Sequence, residues 1–90
     1  MPAVEIYTRN YCYYCHSAKE LLDRKGISFT EINLSDNPER RSEMINRAKG
    51  RTTVPQLFIG DVHVGGSDDL HELDHAGKLD ALLNGKGQAA

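Results

Sequence analysis

The hydrophobic positions of this chain change their spacing from one segment to the next. Residues 4–7, Val-Glu-Ile-Tyr, alternate with a period of two, which is typical of a strand. Further along, Ala18, Leu21 and Leu22 recur at helical spacing, and Gly26 supplies a C-terminal stop. The pattern therefore predicts a strand that is followed by a helix.

A second strand and a second helix follow. Residues 27–34 are rich in residues that favour strands, and the Asn-Pro pair at 37–38 has the composition of a helix start. We expect this helix to end near position 48 or 49 and to bury Met44, Ile45 and Ala48. Two strand-helix units in succession predict two parallel strands that are joined by a right-handed crossover.

The second half of the chain changes character. Residues 56–59 and 62–64 are short apolar runs on either side of Gly-Asp at 60–61, a two-residue hairpin pattern that predicts antiparallel strands. Ser67 can cap a third helix, to which the leucines at 70–83 give an apolar face. The predicted order is βαβ-α-ββ-α, an α/β fold in which helices flank a four-stranded mixed sheet.

Length and composition limit what such a chain can be. Its 90 residues make one domain, which we place at residues 1–84, with residues 85–90 as a flexible tail of small and polar residues. A formal net charge of −2, with acidic and basic residues interspersed, argues against a nucleic-acid partner. No apolar run approaches the ~20 residues that a membrane span requires, and we expect a soluble cytoplasmic protein that does not bind a membrane.

The chemistry of interest lies in RNYCYYC at residues 9–15, which contains the two cysteines of the chain. If Cys12 lies in the first turn of the helix, the i to i+3 spacing places Cys15 on the same face, close enough to form a disulfide. The N–H groups and the dipole at the helix start favour a thiolate at Cys12, the form that attacks a disulfide. A reversible redox pair is therefore one interpretation.

Two other interpretations of the cysteines compete with it. They could be buried structural thiols, although Cys12 precedes the apolar face of the helix and does not lie within it. They could also be half of a zinc site together with His71 and His75, but these histidines are much farther along the chain than in a zinc finger. The cysteine spacing alone does not decide between these possibilities.

Three separated segments are more specific: TRNYCYYC at 8–15, RTTVPQLFIG at 51–60 and GGSDDL at 65–70. Together they closely resemble glutaredoxins, particularly the bacterial dithiol class, and the resemblance covers residues 3–84. It implies a thioredoxin-like fold and a monomeric, glutathione-dependent oxidoreductase without a metal. The partners that it implies are glutathione, proteins with disulfides and glutathionylated proteins, with Cys12 and Cys15 as the catalytic residues.

The resemblance also implies a conformation for the segment Thr53-Val54-Pro55. Since only ~5–6% of X-Pro bonds are cis, frequency alone favours a trans bond before Pro55. In glutaredoxins this proline is cis and lies against the redox pair, so the resemblance reverses that expectation. The backbone of Val54 would then offer a strand-like edge to glutathione.

The remaining glutathione contacts are likewise implied by the resemblance. The backbone N–H of Ser67 and the carboxylate of Asp68 correspond to the groups that hold the γ-glutamyl end. Arg9 and Arg51 correspond to contacts near the glycine carboxylate, and Tyr14 corresponds to an aromatic wall of the groove.

One position departs from the pattern of the family. Tyr13 stands where the usual dithiol motif Cys-Pro-Tyr-Cys has proline, which restores a backbone N–H and adds a bulky ring. Some glutaredoxins without this proline bind an iron–sulfur cluster between two subunits through the thiolate that corresponds to Cys12. The alternative function is therefore an iron–sulfur carrier or sensor that acts as a dimer.

Overall fold

The computed structural model describes residues 2–84, and its centre is a four-stranded mixed sheet with the strand order β2-β1-β3-β4. The strands are β1 (Val4–Thr8), β2 (Thr30–Asn33), β3 (Gln56–Ile59) and β4 (Val62–Gly65). β1 pairs in parallel with β2 and antiparallel with β3, and β3 pairs antiparallel with β4. The predicted mixed sheet and its pairing directions are confirmed.

Helices cover both faces of this sheet. They are α1 (Tyr13–Arg24), α2 (Arg41–Arg47), α3 (Ser67–His75) and α4 (Leu79–Leu83), and a short 3-10 helix (Pro38–Arg40) precedes α2. Between residues 2 and 84, no helix has the length and apolar character needed to cross a membrane. The predicted tail at 85–90 lies outside the described residues.

The second strand begins later than its composition predicts. Ile27 leaves α1 with its N–H donating to the carbonyl of Leu22 (2.9 Å), so it closes the helix end and does not pair with β1. Ladder pairing starts at Thr30 opposite Glu5. Residues 27–29 are therefore a connection, although Ile27 still packs in the core.

The single third helix predicted from the leucine pattern is wrong, because the structure divides it into α3 and α4. Gly77 has φ +72, a conformation that glycine adopts without steric cost, and the Lys78 N–H donates to the carbonyl of Leu73 (2.9 Å). This bond ends α3, one turn before α4 begins at Leu79. The leucines still face one core, since Leu70 and Leu79 belong to the same cluster.

The sheet separates two hydrophobic clusters. Ile6 and Leu57 pack with α1, α3 and α4 on one face, whereas Tyr7 and Phe58 pack with Met44 of α2 on the other. Met44 and Ala48 are fully buried as predicted, while Ile45 is only partly buried. Burial on both faces holds β1 rigidly, and β1 leads directly into the loop that carries Cys12.

Candidate active site

Cys12 is the N-cap of α1. The prediction from the sequence placed it one position further on, in the first turn of the helix. Its backbone is extended, with φ −117 and ψ 109, and its Sγ accepts a hydrogen bond from the N–H of Cys15 (3.1 Å). The sulfur occupies the place of the serine or aspartate oxygen that commonly caps a helix. It therefore lies at the N-terminal, positive end of the α1 dipole.

Cys15 lies behind Cys12 and has a different environment. Its side chain is buried, with 2% exposed, whereas that of Cys12 is half-buried, and both are free thiols. Burial and then the neighbouring sulfur of Cys12 raise the pKa of Cys15 to about 12. At neutral pH, Cys15 is thus a protonated thiol that an external disulfide cannot reach, and Cys12 is the sulfur presented to solvent.

The segment Thr53-Val54-Pro55 lies against this pair. The bond between Val54 and Pro55 is cis. The resemblance to glutaredoxins predicted this conformation, whereas the general frequency of cis X-Pro bonds favoured a trans bond. The carbonyl oxygen of Val54 lies 4.0 Å from Cys12 Sγ, so two segments that are 42 residues apart in sequence meet at the sulfur.

A cavity of about 370 Å³ opens beside the Val54 backbone. It brings together segments from α1, from the turn before β3 and from the start of α3. Its lining residues are Tyr14, Arg51, Thr53, Val54, Pro55, Gly66, Ser67, Asp68 and Asp69. Of the glutathione contacts implied by the resemblance, all except Arg9 lie here.

Arg9 lines a second cavity of about 220 Å³, which also includes Val54. Arg41, at the start of α2, lines the same cavity together with Leu34, so two arginines line one cavity. Sequence inspection missed Arg41, because its position among other charged residues of a helix has no distinguishing spacing. Arg9 and Arg51, which the resemblance assigned to one carboxylate, thus line different cavities.

The start of α3 differs in detail from the prediction. Gly66 is the N-cap and Ser67 is the first helical residue, 5% exposed, so the cap assigned to Ser67 is wrong. Asp69 supplies the capping group: its Oδ2 accepts from the Gly66 N–H (2.9 Å) and pairs with Arg51 Nη1 (3.3 Å). The Gly66 hydrogen bond, and then Arg51, lower the pKa of Asp69. A carboxylate three residues after the cap is a known capping pattern that could have revealed this role.

The histidines considered for zinc have other surroundings. His71 Nδ1 lies 2.8 Å from the carbonyl oxygen of Ser67, one turn earlier in α3. Within the part of the chain that the structure describes, no group of three or more His, Cys, Asp and Glu side chains is arranged to hold a metal ion.

Comparison with known proteins agrees with this arrangement. The family model described as Glutaredoxin matches residues 4–64, which include the cysteine pair and the segment around Pro55. The chain belongs to the glutaredoxin family. It is accordingly a thiol–disulfide oxidoreductase, and the positions of Cys12 and Cys15 are consistent with a Cys-x-x-Cys site.

Individual glutaredoxins match almost the whole chain. A glutaredoxin of Pseudomonas aeruginosa is 58% identical over 84 residues, which are 93% of this chain and 99% of that relative. The solution structure of a glutaredoxin from Brucella melitensis matches with a TM-score of 0.80 and 57% identity, over 98% of this chain and 92% of that chain. The crystal structure of a buckwheat glutaredoxin–glutathione complex matches with a TM-score of 0.82 and 32% identity, over 96% of this chain and 80% of that chain. The thioredoxin-like fold is confirmed.

The difference between the two cysteines of this glutaredoxin predicts selective alkylation. We expect iodoacetamide at pH 7–8 to label Cys12 and to leave Cys15 unmodified, because Cys15 is 2% exposed and has a pKa near 12. Fragment-ion mass spectrometry of the peptide at 10–19 separates the two sites. The Cys12→Ser variant, labelled natively and after denaturation, is the control: labelling of native Cys15 at the denatured rate would contradict the assignment.

Proposed function

We propose that this glutaredoxin uses glutathione to reduce protein disulfides and glutathione mixed disulfides. The observation that carries the proposal is the cavity beside Cys12, which is lined by both the partly buried Val54 and Ser67 at the start of α3. An extended peptide ligand suits the first of these features, and a carboxylate suits the second. The fold shared with the buckwheat glutaredoxin–glutathione complex supports the same ligand.

The proposed position of glutathione follows from the two cavities. The cysteinyl part lies along Val54 with its sulfur at Cys12, walled by Tyr14 and the Thr53–Pro55 segment. The γ-glutamyl carboxylate meets the N–H of Ser67 at the start of α3, and its ammonium group meets the Asp68 carboxylate.

One charged group of the ligand remains, its glycine carboxylate. The glycine carboxylate extends into the second cavity, where Arg9 and Arg41 provide positive charge. Arg51 remains a proposed glutathione contact, but from the cavity at Ser67, where its ion pair with Asp69 holds it.

In the proposed dithiol route, the Cys12 thiolate attacks one sulfur of a substrate disulfide and forms a mixed disulfide. The other substrate sulfur leaves as a thiolate and takes a proton. Cys15 then loses its proton and attacks the Cys12 sulfur, which releases the second substrate thiol and forms the Cys12–Cys15 disulfide. Two glutathiones supply two electrons to restore both thiols and leave as glutathione disulfide.

The high pKa of Cys15 suits this order of events. Part of its elevation comes from the neighbouring sulfur of Cys12, and that contribution ends once Cys12 is held in a mixed disulfide. Cys15 therefore becomes easier to deprotonate at the step that needs its thiolate.

A glutathionylated substrate needs only Cys12. The Cys12 thiolate attacks the glutathione sulfur, the protein thiolate leaves, and a second glutathione attacks the mixed disulfide to release glutathione disulfide. Glutaredoxin potentials of about −200 to −230 mV lie close to that of the glutathione pool, so the reaction runs in both directions.

The cytoplasm, where glutathione keeps thiols reduced, is the compartment that we propose. The comparisons do not favour an iron–sulfur dimer.

A coupled turnover assay tests the proposed reductant. With a small glutathione mixed disulfide as substrate, and glutathione reductase with NADPH recording glutathione disulfide, we expect saturable turnover with glutathione. Asp68→Asn should raise KM for glutathione by up to about fivefold and leave kcat unchanged, because an exposed charge pair is worth ~0.2–1 kcal/mol.

Glu72→Gln, which removes a charge from α3 outside this cavity, is the matched control and should leave KM unchanged. An absence of turnover in the unmodified protein, despite reduced cysteines, would refute the dependence on glutathione.

A further inference from the structure

The surface around Cys12 is unusually aromatic. Among the residues that the structure describes, the large hydrophobic side chains that are exposed are Tyr11 (106%), Tyr13 (76%) and Tyr14 (58%). Tyr14 lines the proposed glutathione cavity, whereas Tyr11 and Tyr13 line neither that cavity nor the one at Arg9. Two exposed tyrosines therefore precede and follow Cys12 in the chain with no role in the proposed glutathione site.

The loop of Tyr11 is fixed in place. Tyr11 has φ +57, a left-handed conformation that is uncommon for a residue with a bulky side chain. Next to it, the Asn10 N–H donates to Ser35 Oγ and the Asn10 Oδ1 accepts from Asn33 Nδ2, both at 3.0 Å. These bonds to the end of β2 hold the loop while the Tyr11 ring lies in solvent. A backbone held in such a region is typical of a functional segment.

The Tyr13 ring is supported by the neighbouring ring of Tyr14. The two rings contact edge to face, with 5.5 Å between centroids and an interplanar angle of 79°. Because Tyr14 in turn walls the cavity beside Val54, the Tyr13 ring continues the same surface outward. Tyrosines held in this way lose little conformational entropy on contact, which is why they are frequent at recognition surfaces.

We propose that Tyr11 and Tyr13 dock the polypeptide part of a disulfide substrate, and that they favour aromatic or aliphatic residues next to the substrate cysteine. This inference rests on the proposed function. A mixed disulfide has two halves, and glutathione fills the cavities at Val54. The polypeptide half must approach Cys12 Sγ from outside those cavities, and the tyrosines that precede and follow Cys12 in the chain line neither of them.

The charge around the site selects among possible polypeptides. Tyrosine faces also attract lysine and arginine through cation–π contacts. The two adjoining cavities are lined by three arginines, Arg9, Arg41 and Arg51, and by two carboxylates, Asp68 and Asp69, so the net positive charge that opposes a basic segment is one. An apolar flank gains the aromatic contact without this repulsion.

Matched peptides test the docking surface. Each peptide carries one glutathionylated cysteine flanked by phenylalanine, serine or lysine, and kcat/KM is measured with the unmodified protein, Tyr11→Ser, Tyr13→Ser and the double variant. We expect the unmodified protein to prefer the phenylalanine peptide over the serine peptide by about two- to thirteenfold, the range of an aromatic pair. The double variant should lose this preference, and Tyr13→Phe should keep it.

The small glutathione mixed disulfide separates this proposal from the proposed function. All variants should turn it over within about twofold of the unmodified protein, because neither Tyr11 nor Tyr13 lines the two proposed glutathione cavities. Full turnover of the small disulfide without a phenylalanine preference would overturn the docking surface alone. A tyrosine-dependent peptide preference without use of glutathione would refute the reductant and leave the docking surface standing.

Three further results would overturn the docking surface. One is an equal loss for every peptide and for the small disulfide, which would mean that the tyrosines support the active site itself. Another is a tyrosine-dependent preference for the lysine peptide. The third is a dimer in sedimentation analysis that the double variant abolishes, because a second copy of the chain would then occupy this surface.

Discussion

Replacing Cys12 by serine is expected to abolish both the reduction of protein disulfides and the removal of glutathione from proteins. Cys12 Sγ is the half-exposed sulfur at the helix N-cap, and every step of both routes begins or ends on it. A serine hydroxyl can replace the hydrogen bond from the Cys15 N–H, so the fold should be retained. Turnover measured in both assays should fall to the uncatalysed rate.

Cys15→Ser is the matched variant, and it should affect the reduction of protein disulfides and the removal of glutathione from proteins differently. We expect it to retain most of the turnover of glutathionylated substrates and to lose reduction of protein disulfides, because only the dithiol route needs a resolving thiol within the protein. The mixed disulfide on Cys12 should accumulate in this variant, where mass spectrometry can detect it. Equal losses in the two assays would contradict this division of roles.

Gly65→Ala is expected to damage both stability and glutathione binding. Gly65 has φ +112, and an added Cβ would lie 2.3 Å from Asp69 Oδ2 and 2.9 Å from Arg51 Nη1. Asp69 can move aside only by giving up its bonds to Gly66 and Arg51. Backbone strain and the lost cap should together lower the free energy of unfolding by about 2–4 kcal/mol.

The same displacement should reach the ligand. Gly66 and Ser67 follow directly, and they line the cavity that we assign to glutathione, so KM for glutathione should rise together with the loss of stability. Urea unfolding and the coupled assay measure the two effects.

Gly77→Ala provides the control for backbone strain alone. Gly77 also has a positive φ, +72, but an added Cβ would meet nothing within 4 Å. We expect a loss of about 1–2 kcal/mol in this variant and an unchanged KM for glutathione. If Gly65→Ala behaves like Gly77→Ala in both measurements, the Asp69–Arg51 contact does not hold the start of α3.

Much of the architecture could be predicted from local patterns. The strand at residues 4–8, the helix after Cys12 and the hairpin around Gly60 each depend on periodicity or turn composition within a few residues. The errors are local as well. The helical spacing of the leucines continues past Gly77 although the helix ends there, because the leucines before and after the break pack into the same hydrophobic cluster.

The site was harder to predict than the fold. Distant motifs indicated which segments meet, and the cavity at Val54 does collect Tyr14, Ser67 and Asp68. Their roles as ligand contacts remain predictions. Arg41 and Asp69 were missed as site residues, since a charged side chain on a helix has many uses and only its neighbours in space distinguish them.

The sequence by itself determined the order of the four strands and of α1 to α3, and the position of Cys12 where β1 passes into α1, because these depend on short-range spacing. Only the tertiary structure decided that the Cys12 sulfur caps α1, that Cys15 is buried behind it, and that Arg9 and Arg51 face different cavities. Burial, charge and distance at this site arise from segments far apart in the chain, and residue spacing contains no measure of where those segments meet.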